Sequence, residues 1–368
     1  MKISFVNLKR EFNLIEKKLI KDFLEVGNTG QYVNGKNLND FERKIAKFLG
    51  VKYCIGVSSW TDGAIITFKA LSLKNTDEVI TPSNSFLASC GAIVAAGGTP
   101  VLADVDETYN LSYESALKLI SKKTKVIMPV HLYGTPCEDI FKLKDLCRKK
   151  RIVLIEDAAQ SIGAKIQNKM TGAIGDIGIF SLHPLKNLGI YGDGGIISTN
   201  NKKIYEKLLL LRNHGLKNRD TALCWGYNAR LSDLNAKFAS TKLNYLNNWN
   251  KKHRTIAKYY SDNLDECIIK PKINPKNVSV FHNYIIRVKN RDKLKKYLLQ
   301  NGVQTSIHYP IPIHKQKPFK NINKIKLKNV EKFSKQILSL PIYHTLSKKE
   351  INYVVKKINL FIKKNKND

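Results

Sequence analysis

Between residues 51 and 198 the chain alternates short apolar runs with longer amphipathic ones. YCIGV leads to TDGAIITFKALSL, EVIT to FLASCGAIVAAG, TPVLADV to LSYESALKLISK, and KVIMPV to EDIFKLKDLCRKK, with RIVLIED closing the series. Runs of strand length rich in Val and Ile, separated by helical patterns of roughly ten to fifteen residues, predict parallel βαβ units and a sheet covered on both faces. DIGIFS and GGIIST follow Asp157 without a long helix between them, so part of the sheet is expected to break this alternation. Beyond residue 200 the pattern turns helical, first in KIYEKLLLLRNHG and then over a long stretch, 231–260, expected to form a spine between two domains. SVFHNYIIRV and GVQTSIHYP read as strands, and KLKKYLLQN and KKEINYVVKKINLFIKK as helices. The expected organisation is a large domain over 1–261 and a smaller α/β domain over 262–368, with no internal repeat and no low-complexity linker.

Composition agrees with two folded domains. The chain has 368 residues, 43% of them hydrophobic, enough to bury a sizeable core. It contains no 18-residue apolar run, and MKISFVNLKREFNL carries charge where a signal peptide needs an apolar stretch. The expectation is a cytoplasmic protein with no membrane insertion. Cys54, Cys90, Cys137, Cys147, Cys224 and Cys267 are scattered without CxxC or zinc-ligand spacing, which predicts reduced thiols and no metal. The net charge of +33 raises the question of nucleic acid, because clustered cations gain by counterion release. Here lysines are spread along the whole chain among many Asn and Ile, the mark of a compositional bias on solvated surfaces, and no nucleic-acid partner is expected. The densest basic stretch, from KNINKIKLKNVEKFSK to the terminal IKKNKND, reads as a solvated helix face. Attraction to anionic sugar nucleotides or a membrane surface would be a secondary effect.

Ligands of doubly wound sheets sit at the carboxyl ends of the strands, so polar residues that close apolar runs are the first candidates. Asp157 ends RIVLIED, and Lys186 follows IGIFS in the string FSLHPLKNLGIYGDGG. Taken singly, the aspartate caps a following helix, AAQSIGA, as readily as it serves chemistry, and a lysine after a strand is usually solvated. Together they form the pair that pyridoxal phosphate chemistry requires. The lysine forms a Schiff base with the cofactor, and the carboxylate keeps the pyridine nitrogen protonated so that the ring draws electrons.

Ten strings in order carry a resemblance: GQYVNG at 30–35, SSWTDGA at 58–64, TPSNSFLAS at 81–89, PVLADVD at 100–106, PVHLYG at 129–134, EDAAQSIGA at 156–164, FSLHPLKNLG at 180–189, LRNHG at 211–215, GYNARLSDLNA at 226–236 and IHYPIPIH at 307–314. With these the chain is similar to the sugar aminotransferases of the DegT/DnrJ/EryC1/StrS family. The resemblance implies a fold-type I (aspartate aminotransferase-like) α/β enzyme, its large domain built on a mostly parallel sheet, that uses pyridoxal 5'-phosphate. By position, Lys186 matches the lysine that holds the cofactor and later shuttles a proton, and Asp157 matches the partner of the pyridine nitrogen. Gln160 matches a residue that hydrogen-bonds the cofactor's phenolic oxygen, and Phe86 the aromatic ring that stacks on the pyridine. Thr61 and Asp62, expected to open a helix, and Ser181 match phosphate contacts. Asn228 matches an asparagine that reaches the phosphate from a second subunit, which implies a homodimer with shared sites. Arg230, one of only ten arginines, suits planar pairing with a donor carboxylate or a phosphate, with a structural salt bridge as its other reading. His308 and Tyr309 stand where the family often places sugar or nucleotide contacts, and Tyr32 and Asn34 lie in a loop expected near the site.

The pattern also departs from the family's. Where the family usually reads SGTDAL, this chain has Ser59-Trp60-Thr61-Asp62-Gly63, so an indole stands where backbone is expected to approach phosphate. Unless that turn needs positive φ, the amides still point inward and the ring is expected to reach a neighbouring subunit or substrate. Leu185, for a small residue, and Asn235, for Gln, are milder departures. Related C-3 dehydratases carry His at the lysine position, so Lys186 favours transamination. KNLGIYGDGG resembles the branch acting at C-3 of nucleotide-linked keto sugars rather than the C-4 branch, which tends towards K-x-x-T-T-G-E-G-G. The expected reaction transfers an amino group from L-glutamate to C-3 of a dTDP-3-keto-6-deoxyhexose, for surface polysaccharide or glycoconjugate biosynthesis. A UDP-linked sugar, reaction at C-4, and a catalytically idle regulator that keeps the cofactor are the alternatives.

Overall fold

The computed structural model describes residues 1–319 and 326–365; parts of the basic C-terminal stretch, 320–325 and 366–368, lie outside the described residues. Along the chain run α1 (Leu8–Thr29), α2 (Lys36–Leu49), β1 (Tyr53–Val57), α3 (Trp60–Ala70), β2 (Glu78–Pro82), α4 (Ala88–Ala95), β3 (Thr99–Ala103), α5 (Tyr113–Leu119), β4 (Thr124–Ile127), α6 (Ile140–Lys150) and β5 (Val153–Asp157). They are followed by β6 (Ile177–Ser181), β7 (Gly195–Thr199), α7 (Lys202–Arg212), α8 (Asp233–Asn263), β8 (Tyr284–Arg287), α9 (Arg291–Gln300), α10 (Lys328–Ser334), β9 (Ile337–Leu340) and α11 (Lys348–Lys364). The seven-stranded sheet has the order β1-β7-β6-β5-β4-β2-β3. Strands β3, β2, β4, β5 and β6 pair in parallel, while β7 runs antiparallel to both β6 and β1. The expected break in the alternation is therefore this one reversed strand.

Alternation along the strands explains the two layers. Ile177, Ile179 and Ile197 face one side and pack with Ala64, Phe68 and Leu208 of α3 and α7. Phe180 and Ile196 face the other and pack with Phe41, Ile45, Ala239 and Leu243 of α2 and α8. Every residue of β6 and β7 is buried, as expected for a sheet covered on both faces.

Helix α8 is the spine, 31 residues long and capped by Ser232, whose hydroxyl accepts the Asn235 amide. Its first half packs on the sheet through Ala239, Leu243 and Leu246. Its second half, through Ile256, Ala257 and Tyr260, enters a separate core with Tyr284, Ile286, Leu298, Leu338, Val354 and Ile358. Ile3 joins that second core and bridges Val303, so the first residues of the chain cross to the C-terminal elements. Asp233 ties α8 to α2 by accepting the Leu38 amide and the Asn37 side chain at 2.9 and 2.6 Å. A Cβ at Gly35 would lie 2.7 Å from that carboxylate, which explains the glycine.

Two local expectations need correction. AAQSIGA is a run of turns, not a helix, because Asp157 Oδ1 accepts the Ala159 amide and Ser161 and Ala164 close on Ala158 and Ser161. GVQTSIHYP makes only the single bridges Ile3↔Val303 and Ser306↔Ser339. The partner of β8 is instead β9, a four-residue buried run too short to be told from a helix tail by its pattern.

Candidate active site

The site is built at the carboxyl ends of β1, β5 and β6. Chain leaving β1 turns into α3, which starts at Trp60, one residue earlier than expected, with Ser59 as its N-cap. Ser59 Oγ accepts the Asp62 amide, and the Asp62 carboxylate accepts the hydroxyls of Ser58 and Ser59 at 2.6 and 2.9 Å. Asp62 thus fixes the helix start, and it is Ser59, Trp60 and Thr61 that line the cavity beyond it. A Cβ at Gly195 would lie 2.8–2.9 Å from the Ser59–Trp60 backbone, so only glycine lets β7 begin against this turn.

Two adjacent acids end β5 and differ completely in surroundings. Glu156, fully buried, accepts His131 Nε2 and the amides of Gly172, Ile174 and Gly175 at 2.6–2.8 Å. His131 Nδ1 accepts the Cys137 amide, so Nε2 carries the proton. Glu156 has no capacity left for chemistry. Asp157 points into the cavity with fewer partners, accepting Ser89 Oγ and the Ala159 amide, each at 3.1 Å. Burial pushes its carboxyl up to about 6, against the pull of these donors and of Lys186.

Lys186 lies in the loop between β6 and β7, its amide donating to the His183 carbonyl. Burial lowers its amine to about 8, and Asp157 opposes that fall by favouring the ammonium form. Among the described residues no carboxylate lies within ion-pairing distance of Lys186. Lys186 and Asp157 share a cavity of about 340 Å³ with Thr61, Phe86, Gln160, Ser181, His308 and Tyr309.

The remaining candidates fall into two groups. Gln160 is buried; its Oε1 accepts the Tyr133 amide at 2.7 Å and its Nε2 donates to the Tyr309 hydroxyl at 3.3 Å. His308 is fixed by Ser339 at 2.7 Å, and its carbonyl accepts the Tyr133 hydroxyl. Phe86 is 61% exposed at the cavity, far from a core position. By contrast, Tyr32, Asn34, Asn228 and Arg230 do not line the cavity of this single chain. Tyr32 is an exposed side chain whose carbonyl accepts the Asp233 amide. Arg230 donates to Asn213 Oδ1 at 3.0 Å, and Asn213 also receives Asn34. Trp60 takes helical backbone without positive φ, and its indole, 7% exposed, packs in the sheet's core at the wall of the cavity. Lining residues that motif reading passed over include Ser89, His183 and His282. Ser89 lay inside TPSNSFLAS, but nothing in the string aims its hydroxyl at Asp157.

The donor set fits pyridoxal phosphate. The cavity volume sits at the lower end of small-molecule sites, roughly 300–1,000 Å³. Its lining offers a buried carboxylate, an amine lowered towards neutrality, and the first turn of α3 with the Thr61 and Ser181 hydroxyls for an anion.

A family model described as the DegT/DnrJ/EryC1/StrS aminotransferase family matches residues 13–359. The chain is 38% identical over 361 residues to the dTDP-3-amino-3,6-dideoxy-alpha-D-galactopyranose transaminase of Aneurinibacillus thermoaerophilus, covering 98% of this chain and 99% of that one. It is 34% identical over 354 residues to the UDP-2-acetamido-2-deoxy-3-oxo-D-glucuronate aminotransferase of Pseudomonas aeruginosa, covering 96% and 98%. Among solved structures, S. venezuelae DesV in complex with a ketimine intermediate superposes with a TM-score of 0.95 at 31% identity, covering 98% of both chains.

Proposed function

The chain belongs to the DegT/DnrJ/EryC1/StrS aminotransferase family and is a pyridoxal phosphate-dependent sugar aminotransferase; from that premise we propose that it moves the amino group of L-glutamate to C-3 of a dTDP-linked 3-keto-6-deoxyhexose. The observation that carries the chemistry is the placing of Lys186 and Asp157 on one cavity beside the start of α3. The sugar and ring position are supported by KNLGIYGDGG and by the likeness to a dTDP-sugar transaminase. A UDP-linked substrate is the second reading, favoured by the comparable identity to a UDP-sugar enzyme.

When bound, pyridoxal phosphate supplies an aldehyde that takes up an amine and a ring that draws electrons from it. Lys186 holds the group and moves the proton at Nζ, a task for which an amine lowered to about 8 is suited near neutrality. Asp157 holds the ring nitrogen in its protonated form. The α3 amides, Thr61 and Ser181 bind the phosphate, Gln160 orients the phenolic oxygen, and Phe86 offers a ring face. Asp62 acts indirectly by holding the α3 start.

A cavity of about 340 Å³ accommodates the cofactor but not a nucleotide sugar besides. The sugar nucleotide then extends beyond the cofactor, towards His308 and Tyr309 and, in the proposed dimer, towards Tyr32 and Arg230 of the second subunit. The exposed side chains of Phe86, Leu223, Trp225 and Tyr227 support a homodimer in which Asn228 and Arg230 serve the partner's site. Within each subunit, residues 1–261 carry most of the cofactor contacts, and the part beyond contributes His282, His308 and Tyr309 to the cavity. The test is to incubate the protein with L-glutamate and dTDP- or UDP-linked 3-keto sugars and to locate the new amine by NMR. Parallel initial-rate lines and an amine at C-3 of the dTDP sugar are expected; an amine at C-4, or turnover of the UDP sugar alone, refutes the assigned subtype.

A further inference from the structure

Behind the substrate side lies a second, smaller cavity of about 70 Å³. Lys186, Leu185, His282 and His308 line both cavities and so form the partition between them. Phe5, Val6 and Leu8 of the N-terminal segment form part of the second cavity's wall. Phe5 stacks on His308 with ring centroids 5.7 Å apart, and the backbone of Ile3 pairs with Gly302 and Gln304 at 2.8 and 2.9 Å.

Three residues lining this cavity carry buried polar atoms without a hydrogen-bond partner in the chain: Asn187 Oδ1, Asn283 Nδ2 and His344 Nε2. Their orientations are set by other contacts. Asn187 Nδ2 donates to Asn250 Oδ1 and the Val280 carbonyl at 2.8 and 3.2 Å, and the His344 ring stacks on Trp249 at 4.3 Å. A buried polar atom is costly when left unpaired, and three such atoms belong to residues around this one space.

Its chemistry follows from the lining. One atom is an acceptor, one a donor, and the third is an imidazole nitrogen, so the occupant must both donate and accept. Apart from Lys186 itself the lining leaves no charge for an ion, because Glu11 is paired with the buried Lys242 and burial holds His253, His282 and His344 in their neutral forms. The volume is too small for either substrate and suits about two waters, at roughly 30 Å³ each.

We propose that this cavity is an internal water site serving Lys186, through which the lysine exchanges its proton with solvent while the substrate side stays closed. The proposal rests on the reading of Lys186 as the proton-carrying group. The exchange is degenerate: an N–H hydron of the ammonium passes to a cavity water, a hydron from that water returns, and neither charge nor heavy-atom bonding changes.

Two measurements test it. A high-resolution crystal structure of the holoenzyme should show ordered water within hydrogen-bonding distance of at least two of the three atoms; a dry cavity overturns the site. In D2O, NMR should show the α-hydrogen of L-glutamate exchanging faster than keto acid forms. His344→Phe, which keeps the stack on Trp249, and Asn283→Leu should each cut that ratio severalfold while the KM for glutamate stays unchanged. An unaltered ratio in variants that melt near the wild-type temperature overturns the exchange role. Ordered water without amine transfer from any donor would instead refute the transaminase assignment and leave the water site standing, so the two failures are distinguishable.

Discussion

Removing the charge of Asp157 should make Lys186 more reactive near neutrality, not less. In the cofactor-free protein burial holds Lys186 at about 8 against an ordinary 10.5, and the neighbouring carboxylate keeps it from falling further. At pH 7 a group with a pKa of about 8 is neutral in roughly one molecule in eleven, against about three in ten thousand for an ordinary lysine, an advantage of about 300-fold. A neighbouring opposite charge typically contributes about 1–3 units, so Asp157→Asn should move the midpoint from about 8 to about 7 or lower. The neutral fraction at pH 7 then rises to about one half or more. The assay is pulse labelling of the cofactor-free protein with an amine-directed reagent across pH 6–11, with peptide mapping to separate Lys186 from other lysines. A wild-type midpoint near 10.5, or a midpoint that rises in Asp157→Asn, would falsify the assignment of a desolvated lysine facing a buried carboxylate. The same substitution should nearly abolish transamination, because the ring nitrogen loses its partner. Higher amine reactivity with lost turnover separates the two roles of Asp157.

Three further outcomes are expected. Glu156→Ala strands the His131 ring and three backbone amides, and should lower unfolding free energy by about 3–5 kcal/mol in urea; a loss below about 1 kcal/mol would show that water replaces the carboxylate. Trp60→Gly empties a large core position, and should destabilise by about 3–5 kcal/mol. An unchanged melting temperature with an altered KM for the sugar would mean that the indole faces substrate after all. Mixed dimers of Lys186→Ala and Asn228→Ala chains should exceed the activity of both parents, since one of the two sites then combines an intact lysine with an intact partner asparagine; mixed activity no higher than the parents' argues against a shared site.

What was legible in the sequence divides along physical lines. Groups suited to bond a cofactor are restricted in type, and strand ends restrict their place, so Lys186, Asp157 and Ser181, which the structure brings to one cavity, could be read as candidates from one string each. The sheet was legible for a related reason: alternate residues of β6 and β7 serve opposite cores, so nearly every position is apolar. Residues that act by convergence leave no such trace. Ser89 reaches Asp157 across 68 positions, and Arg10 pairs with Glu350 across 340. No local pattern distinguishes these side chains from solvated ones. Trp60 shows a different case, an odd residue in a familiar motif whose ring packs in the core at the cavity wall. The indole could be buried because Ser59 and Asp62 hold the helix start by themselves, leaving the ring free to follow the apolar face of α3 into the core. Exposure then marks the boundary of what one chain can specify. Trp225 is 97% exposed beside Leu223 and Tyr227, on the same segment as Asn228 and Arg230. Apolar surface of that size next to polar groups of the expected site is costly in water, and the proposed second subunit, covering the first while receiving the second, would remove the cost and complete the site together.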